Sequence, residues 1–143
     1  MTRIRPTVLV ALLAAAVALA TAACGSSSGS SSKLTGVLWH WTGGQDAQPP
    51  ALHAVPDPEN YLLEFATDDS FSAKADCNQM HGSYKQSGSS LTLTPGPMTL
   101  AACGPNSLSD MYVHQLGTVT GWEITDGQLS LKLKDGGTMF FSG

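Results

Sequence analysis

Cys77 and Cys103 bracket the stretch that most constrains how this chain can fold. The stretch opens with Asp76-Cys77-Asn78-Gln79-Met80-His81-Gly82-Ser83-Tyr84 and closes with Thr99-Leu100-Ala101-Ala102-Cys103. Two candidate strands and a crossover rich in turn residues lie between the sulfurs. Ahead of them, Phe71, Ala73, Ala75 and Cys77 alternate with polar residues, the period of a half-buried strand. Cys77 is therefore expected to point inward. The alternation breaks over 78–82, where Gly82 suits a positive φ or close packing, and Asn78 is expected to hydrogen-bond backbone. Tyr84 starts another strand, Ser87-Gly88-Ser89-Ser90 turns, and Leu91 and Leu93 share a face of a strand expected to end at Pro95-Gly96-Pro97.

How these cysteines are used depends on the compartment, which the first residues address. Arg3 and Arg5 form a positive start, Val8 to Ala20 is an uncharged apolar run, and the small residues Thr21-Ala22-Ala23 precede Cys24. That is the order of an export signal. The run is short for a bilayer, which needs about 20 apolar residues, and no basic cluster follows to stop transfer. A signal followed directly by a lone cysteine resembles a bacterial lipobox, here with Thr21 where Leu or a similar residue is preferred. By that resemblance, as against ordinary secretion, Cys24 is diacylated on sulfur and becomes the mature N-terminus. Gly25 to Ser32 holds only Gly and Ser, so it forms no core and reads as a flexible tether. The chain thus divides into a signal peptide (1–23), a tether carrying the lipidated Cys24 (24–33) and one folded domain (34–143).

Export places the domain in an oxidising space. With Cys24 modified, Cys77 and Cys103 remain as a pair out of three cysteines. A bridge closing that loop would add roughly 3–4 kcal/mol by restricting the unfolded chain. The alternatives are two free thiols or a reactive cysteine, for instance Cys77 with His81 as its base. Asp76 would raise a neighbouring thiol's pKa rather than activate it, so a structural bridge is the reading adopted.

The rest of the domain reads as short strands and one helix. Gly36 to Trp41 is apolar and aromatic, with Trp39 and Trp41 on one face. Gly43 to Pro58, with four prolines, reads as a long surface loop. Tyr61, Leu63 and Phe65 share one side of a second strand, and Thr67-Asp68-Asp69-Ser70 turns into the strand that begins at Phe71. After Gly104-Pro105, Ser107 and Asp110 have capping-box spacing, and Leu108, Met111, Tyr112 and Gln115-Leu116 recur at helical spacing up to Gly117. Val119 to Phe141 reads as a three-strand meander with turns at Asp126-Gly127 and Asp135-Gly136-Gly137. About eight short strands and one helix make an α+β domain. Its sheet is mostly antiparallel, curled or closed into an open barrel that hides its edges.

Charge and motifs narrow the function. Once Arg3 and Arg5 leave with the signal, five lysines face 11 acidic residues. With no basic patch, nucleic acid is not an expected partner. His40, His53, His81 and His114 are scattered, with no His-Glu-x-x-His, Cys-x-x-Cys, Gly-x-Ser-x-Gly, Walker or dinucleotide motif. No catalytic, metal or cofactor site is therefore assigned, and the domain is not read as an enzyme.

Cys77-Asn78, Gly82-Ser83-Tyr84 and Thr99-Leu100-Ala101-Ala102-Cys103, followed by a short helix and a terminal meander, resemble the META/HslJ-like domain family in order and spacing. The positions that carry the resemblance are Asn78, Gly82, Tyr84, Thr99 and Ala102 with the two cysteines. It covers Leu34 to Phe141, with Asp76 where Gly is common and Ala101 where Met is common. The resemblance implies a compact β-rich domain of bacterial envelope lipoproteins linked to stress, and it brings no catalytic residue. Two functions follow as expectations. One is a lipid-anchored envelope protein, held to the membrane through Cys24, that binds a protein partner or supports the envelope under stress. The other is a carrier of a lipid or small apolar ligand inside the curled sheet.

Overall fold

The computed structural model describes residues 33–143. The expected signal peptide, the expected lipidation site Cys24 and the Gly/Ser run read as a tether, through Ser32, lie outside the described residues. Nine strands run in the order β1 (Leu38–Ala47), β2 (Pro50–Ala54), β3 (Tyr61–Phe65), β4 (Ser70–Ala75), β5 (Asn78–Ser87), β6 (Ser90–Met98), β7 (Val119–Thr125), β8 (Gln128–Leu133) and β9 (Thr138–Ser142). One helix, α1 (Ser109–Leu116), lies between β6 and β7, and a 3-10 turn spans Pro58–Asn60. Every pairing between these strands is antiparallel, and an isolated bridge from Thr35 to Phe65 is parallel. Because β1 also pairs with β9, the sheet comes round on itself in a ring. The α+β architecture expected from the sequence is the one observed.

Alternation dictates which side chains fill the ring. Trp41, Leu63, Phe65, Leu91, Leu129, Leu131, Met139 and Phe141 are each no more than 1 % exposed. Trp39 is buried on the same face as Trp41, and its indole N–H donates to Leu34 O at 3.0 Å. The helix covers one end by driving Tyr112 into this core. The Tyr112 ring lies 5.1 Å from Trp41 and 5.6 Å from Tyr61, and its hydroxyl donates to Leu62 O at 2.9 Å. Burial holds the Tyr112 phenol well above the ordinary tyrosine pKa, since a phenolate there would lose its water.

Four sequence expectations change in detail. The supposed loop over 43–58 is mostly a hairpin: β1 runs on to Ala47, and β2 returns beside it from Pro50. Gly43 and Gly44 make this approach feasible. A Cβ on Gly43 would strike His53 O, and one on Gly44 would sit 2.8 Å from the His53 ring. Pro50 is tolerated because it opens an edge strand. Likewise β6 does not end at Pro95 but continues to Met98, since β7 pairs with it only at Ser90 and leaves the proline end unneeded in the ladder. The helix starts at Ser109, two residues beyond Ser107, with Leu108 as its N-cap, and the Leu108 N–H, which no helix bond uses, donates to the Tyr61 hydroxyl at 2.7 Å. Ser107 Oγ accepts from Ser109 N–H at 3.2 Å, and no capping box forms.

The fourth change concerns Cys77. The strand that alternates through Phe71, Ala73 and Ala75 stops there, and Asp76-Cys77 form a two-residue turn with Asp76 at φ 57°. Ala75 then faces Asn78 across the hairpin. The turn breaks the parity, so Cys77 is exposed and Asn78 takes the inward place.

Candidate functional site

Five of the residues that carry the family resemblance, Cys77, Asn78, Thr99, Ala102 and Cys103, come together at one corner, where the β4–β5 turn meets the crossover from β6 to α1. Cys77 and Cys103 are bonded at 1.99 Å, their Cα atoms 5.6 Å apart. Beside the bridge, Asn78 is only 5 % exposed. Its Oδ1 accepts from Ala101 N–H at 2.8 Å and from the Thr99 hydroxyl at 3.0 Å. Its Nδ2 donates to Ala101 O at 3.1 Å and to Cys103 Sγ at 3.3 Å. The Thr99 hydroxyl oxygen also accepts from Gln79 N–H at 2.9 Å. A primary amide offers two donors and two acceptor sites, and all four are engaged here. A crossover without regular structure must find partners for its backbone, and the Asn78 side chain supplies them as a neighbouring strand would.

Gly82 and Tyr84 lie further along β5, toward the β3–β4 turn and away from the bridge. A Cβ on Gly82 would lie 2.5 Å from both Phe71 Cε1 and Thr94 O, so close packing, not positive φ, is what this glycine serves. Tyr84 stacks edge-on to Phe65 at 5.1 Å and donates its hydroxyl to Ala66 O at 2.7 Å. Burial, with Asp69 and Asp68 nearby, raises the Tyr84 pKa. Ala102 lies exposed on the crossover, and nothing in the structure explains a need for alanine there.

Two surface depressions adjoin this framework. One, of about 330 Å³, runs from Asn78 along the crossover to Ser109 and Asp110. The other, about 470 Å³, lies between α1 and the β8–β9 turn, with Met111, His114 and Gln115 facing Lys134 and Asp135. Gln115 Oε1 is buried there without a hydrogen-bond partner. The histidines do not come together. His40 Nδ1 is 3.5 Å from Glu59 Oε2, His53 Nδ1 is 3.9 Å from Asp46 Oδ1, and His81 and His114 are exposed on separate elements. Among the described residues no three His, Cys, Asp or Glu side chains form a metal-binding group. The Cys77–His81 nucleophile reading fails because the Cys77 sulfur is bonded to Cys103.

The geometry defines a class: a small antiparallel ring, plugged by one helix and stapled at a single corner by a disulfide and a buried asparagine. The chain belongs to the META domain family, which matches residues 32–143. No curated protein matches it. Among solved structures it is similar to a protein from Burkholderia xenovorans determined by NMR, at 24 % identity and a TM-score of 0.61, covering 76 % of this chain and 82 % of that one. It is also similar to a DUF4847 family protein from Bacteroides vulgatus, at 12 % identity and a TM-score of 0.58, covering 76 % of this chain and 93 % of that one. At such identities these neighbours establish the fold alone. Neither the family nor the neighbours give any sign of enzyme activity.

Proposed function

We propose that this chain is a lipid-anchored cell-envelope protein whose META domain acts without catalysis, by binding a protein partner or supporting the envelope under stress. The observation that carries this reading is the internal use of the motif residues. All four hydrogen-bonding sites of Asn78 and both sulfurs of the bridge hold the fold together. The ring's inward positions are likewise filled by its own side chains, Trp41, Tyr112, Phe65 and Phe141 among them. A filled interior favours recognition at the surface over a carried apolar ligand. The signal-like start, Cys24 and the Gly/Ser tether supply the anchoring half of the proposal.

Replacing Cys24 with Ala tests the anchor. The variant should leave the membrane fraction for the soluble fraction, and undiminished membrane retention refutes lipidation at Cys24. Native mass spectrometry of the gently purified protein tests the rest. The mass of the polypeptide with its covalent Cys24 lipid and nothing more is expected, whereas a further non-covalent, stoichiometric lipid or apolar adduct would replace partner binding with the carrier reading.

A further inference from the structure

The ring leaves one strand position open. β1 uses one edge for β9, through His40 to Gln45, and the other for both β3 (38–40) and β2 (43–47). β2 and β3 therefore lie in line along the same edge. The far side of β3 is covered by β4, but the far side of β2 has no partner strand among the described residues. The register says which groups face outward. Val55 N–H donates to Thr42 O, so hydrogen-bonded pairing with β1 recurs at His53 and Ala51. The backbone of Pro50, Leu52 and Ala54 turns the other way, offering three carbonyls and the N–H groups of Leu52 and Ala54. Leu52, at the centre of β2, is 77 % exposed.

We propose that β2 is a docking edge for an extended, non-acidic segment of another protein, which adds a strand in line with β4. This rests on the partner-binding reading above and names the surface and the kind of partner. A row of outward N–H and C=O groups is matched by another strand, and an apolar side chain beside Leu52 completes the contact. The surroundings set the charge. Asp46 lies opposite Ala51 on β1, while Asp57 and Glu59 sit in the excursion between β2 and β3. Asp76 N–H donates to Asn60 O at 2.7 Å, which brings the β4–β5 turn against that excursion. No lysine or arginine occurs between Leu38 and Asn60. The lysine that reaches this rim from β4, Lys74, donates to Glu59 O at 3.1 Å and Asn60 Oδ1 at 3.0 Å, so Asp46, Asp57, Glu59 and Asp76 outnumber it. A second copy pairing β2 to β2 would bring two such acidic rims together. A neutral or basic partner segment meets no such penalty.

The test places a photoreactive amino acid at Leu52 of the full-length chain in its own cells, with parallel probes at Met111 beside the helix groove and at the exposed Lys85 on β5. Adducts should form at position 52, and mapping should place them in an extended, non-acidic stretch of another protein. Adding Ala54→Pro should cut their yield at least tenfold. That change removes an outward N–H and leaves the β1–β2 hydrogen bonds in place, which an unchanged melting temperature would verify. His53→Pro, which breaks the β1–β2 ladder itself, serves as the folding control. Adducts at position 52 that ignore Ala54→Pro, or that join two copies of this chain, overturn the strand-addition proposal. Adducts at Met111 or Lys85 but not at position 52 also overturn it and leave the partner-binding reading standing. No adduct at any of the three sites counts against both.

Discussion

Asn78→Ala removes four hydrogen bonds and leaves the backbone of Ala101 without partners. A typical net hydrogen bond is worth about 1 kcal/mol, and a stranded buried group costs about 1–3 kcal/mol. Ala101 itself is exposed, so water takes over part of its bonding. The expected loss is therefore about 2–4 kcal/mol, measured as a lower urea midpoint at unchanged slope. A sharper expectation concerns coupling. The bridge and Asn78 fix the same segment, 99–103, and Asn78 also donates to Cys103 Sγ. Removing the bridge by Cys77→Ser with Cys103→Ser should cost about 3–4 kcal/mol. Once the crossover is untied, Asn78 has less left to hold, so Asn78→Ala in that background should cost at least about 1 kcal/mol less than in the parent. Strictly additive losses, within about 0.5 kcal/mol, would refute the idea that the two devices act on one segment.

Gly82→Ala should destabilise the domain by about 1–3 kcal/mol or more, since the added methyl meets the Phe71 ring and a β6 carbonyl at once; chemical denaturation reads this directly. Tyr112→Phe should cost about 1–2 kcal/mol by leaving Leu62 O without its donor, while the ring packing against Trp41 stays. In an ultraviolet pH titration, Tyr112 should ionise last. Its raised folded pKa means that the stability it contributes is complete below the unfolded value of about 10 and declines as pH rises above it, so the Tyr112 signal should emerge together with alkaline unfolding.

The sequence was most legible where a strict period of two coincided with burial. Leu129, Leu131 and Leu133 alternate with Ser130 and Lys132 in the chain and in the sheet alike. It was least legible where one backbone event reset the count. The residue pattern through Ala75 places Cys77 inside. Nothing in composition reveals that Asp76 will adopt φ 57° and end the strand one residue early. The hairpin of β1 and β2 was hidden for a different reason. Its prolines are tolerable only at an edge, and its two glycines matter only because His53 packs over them. Both facts depend on which strand lies next door, which is long-range information. Asn78 was expected to bond backbone, but its partners lie more than 20 residues away, beyond any local pattern.

The position of the staple follows from where the ring closes least firmly. Every neighbouring pair in the ring is held by three or more residue pairs except β6 and β7, which have the single pair Ser90 and Gly121. Trp122 supplements that pair by donating its backbone N–H to Ser89 O and its indole N–H to Gly88 O. The chain between those two strands is the crossover and α1, the longest connection among the described strands. A long connection across a weak junction would leave the helix, and Tyr112 with it, free to lift from the end of the ring. The bridge and Asn78 tie the middle of that connection to the tight β4–β5 turn, which is anchored by full pairing on both flanking strands. Tyr61 fixes the next residues by accepting from Leu108 N–H. The cysteines and Asn78 thus act as a closure device for the ring, while Gly82 and Tyr84 serve the packing of β5 on β4 and the β3–β4 turn.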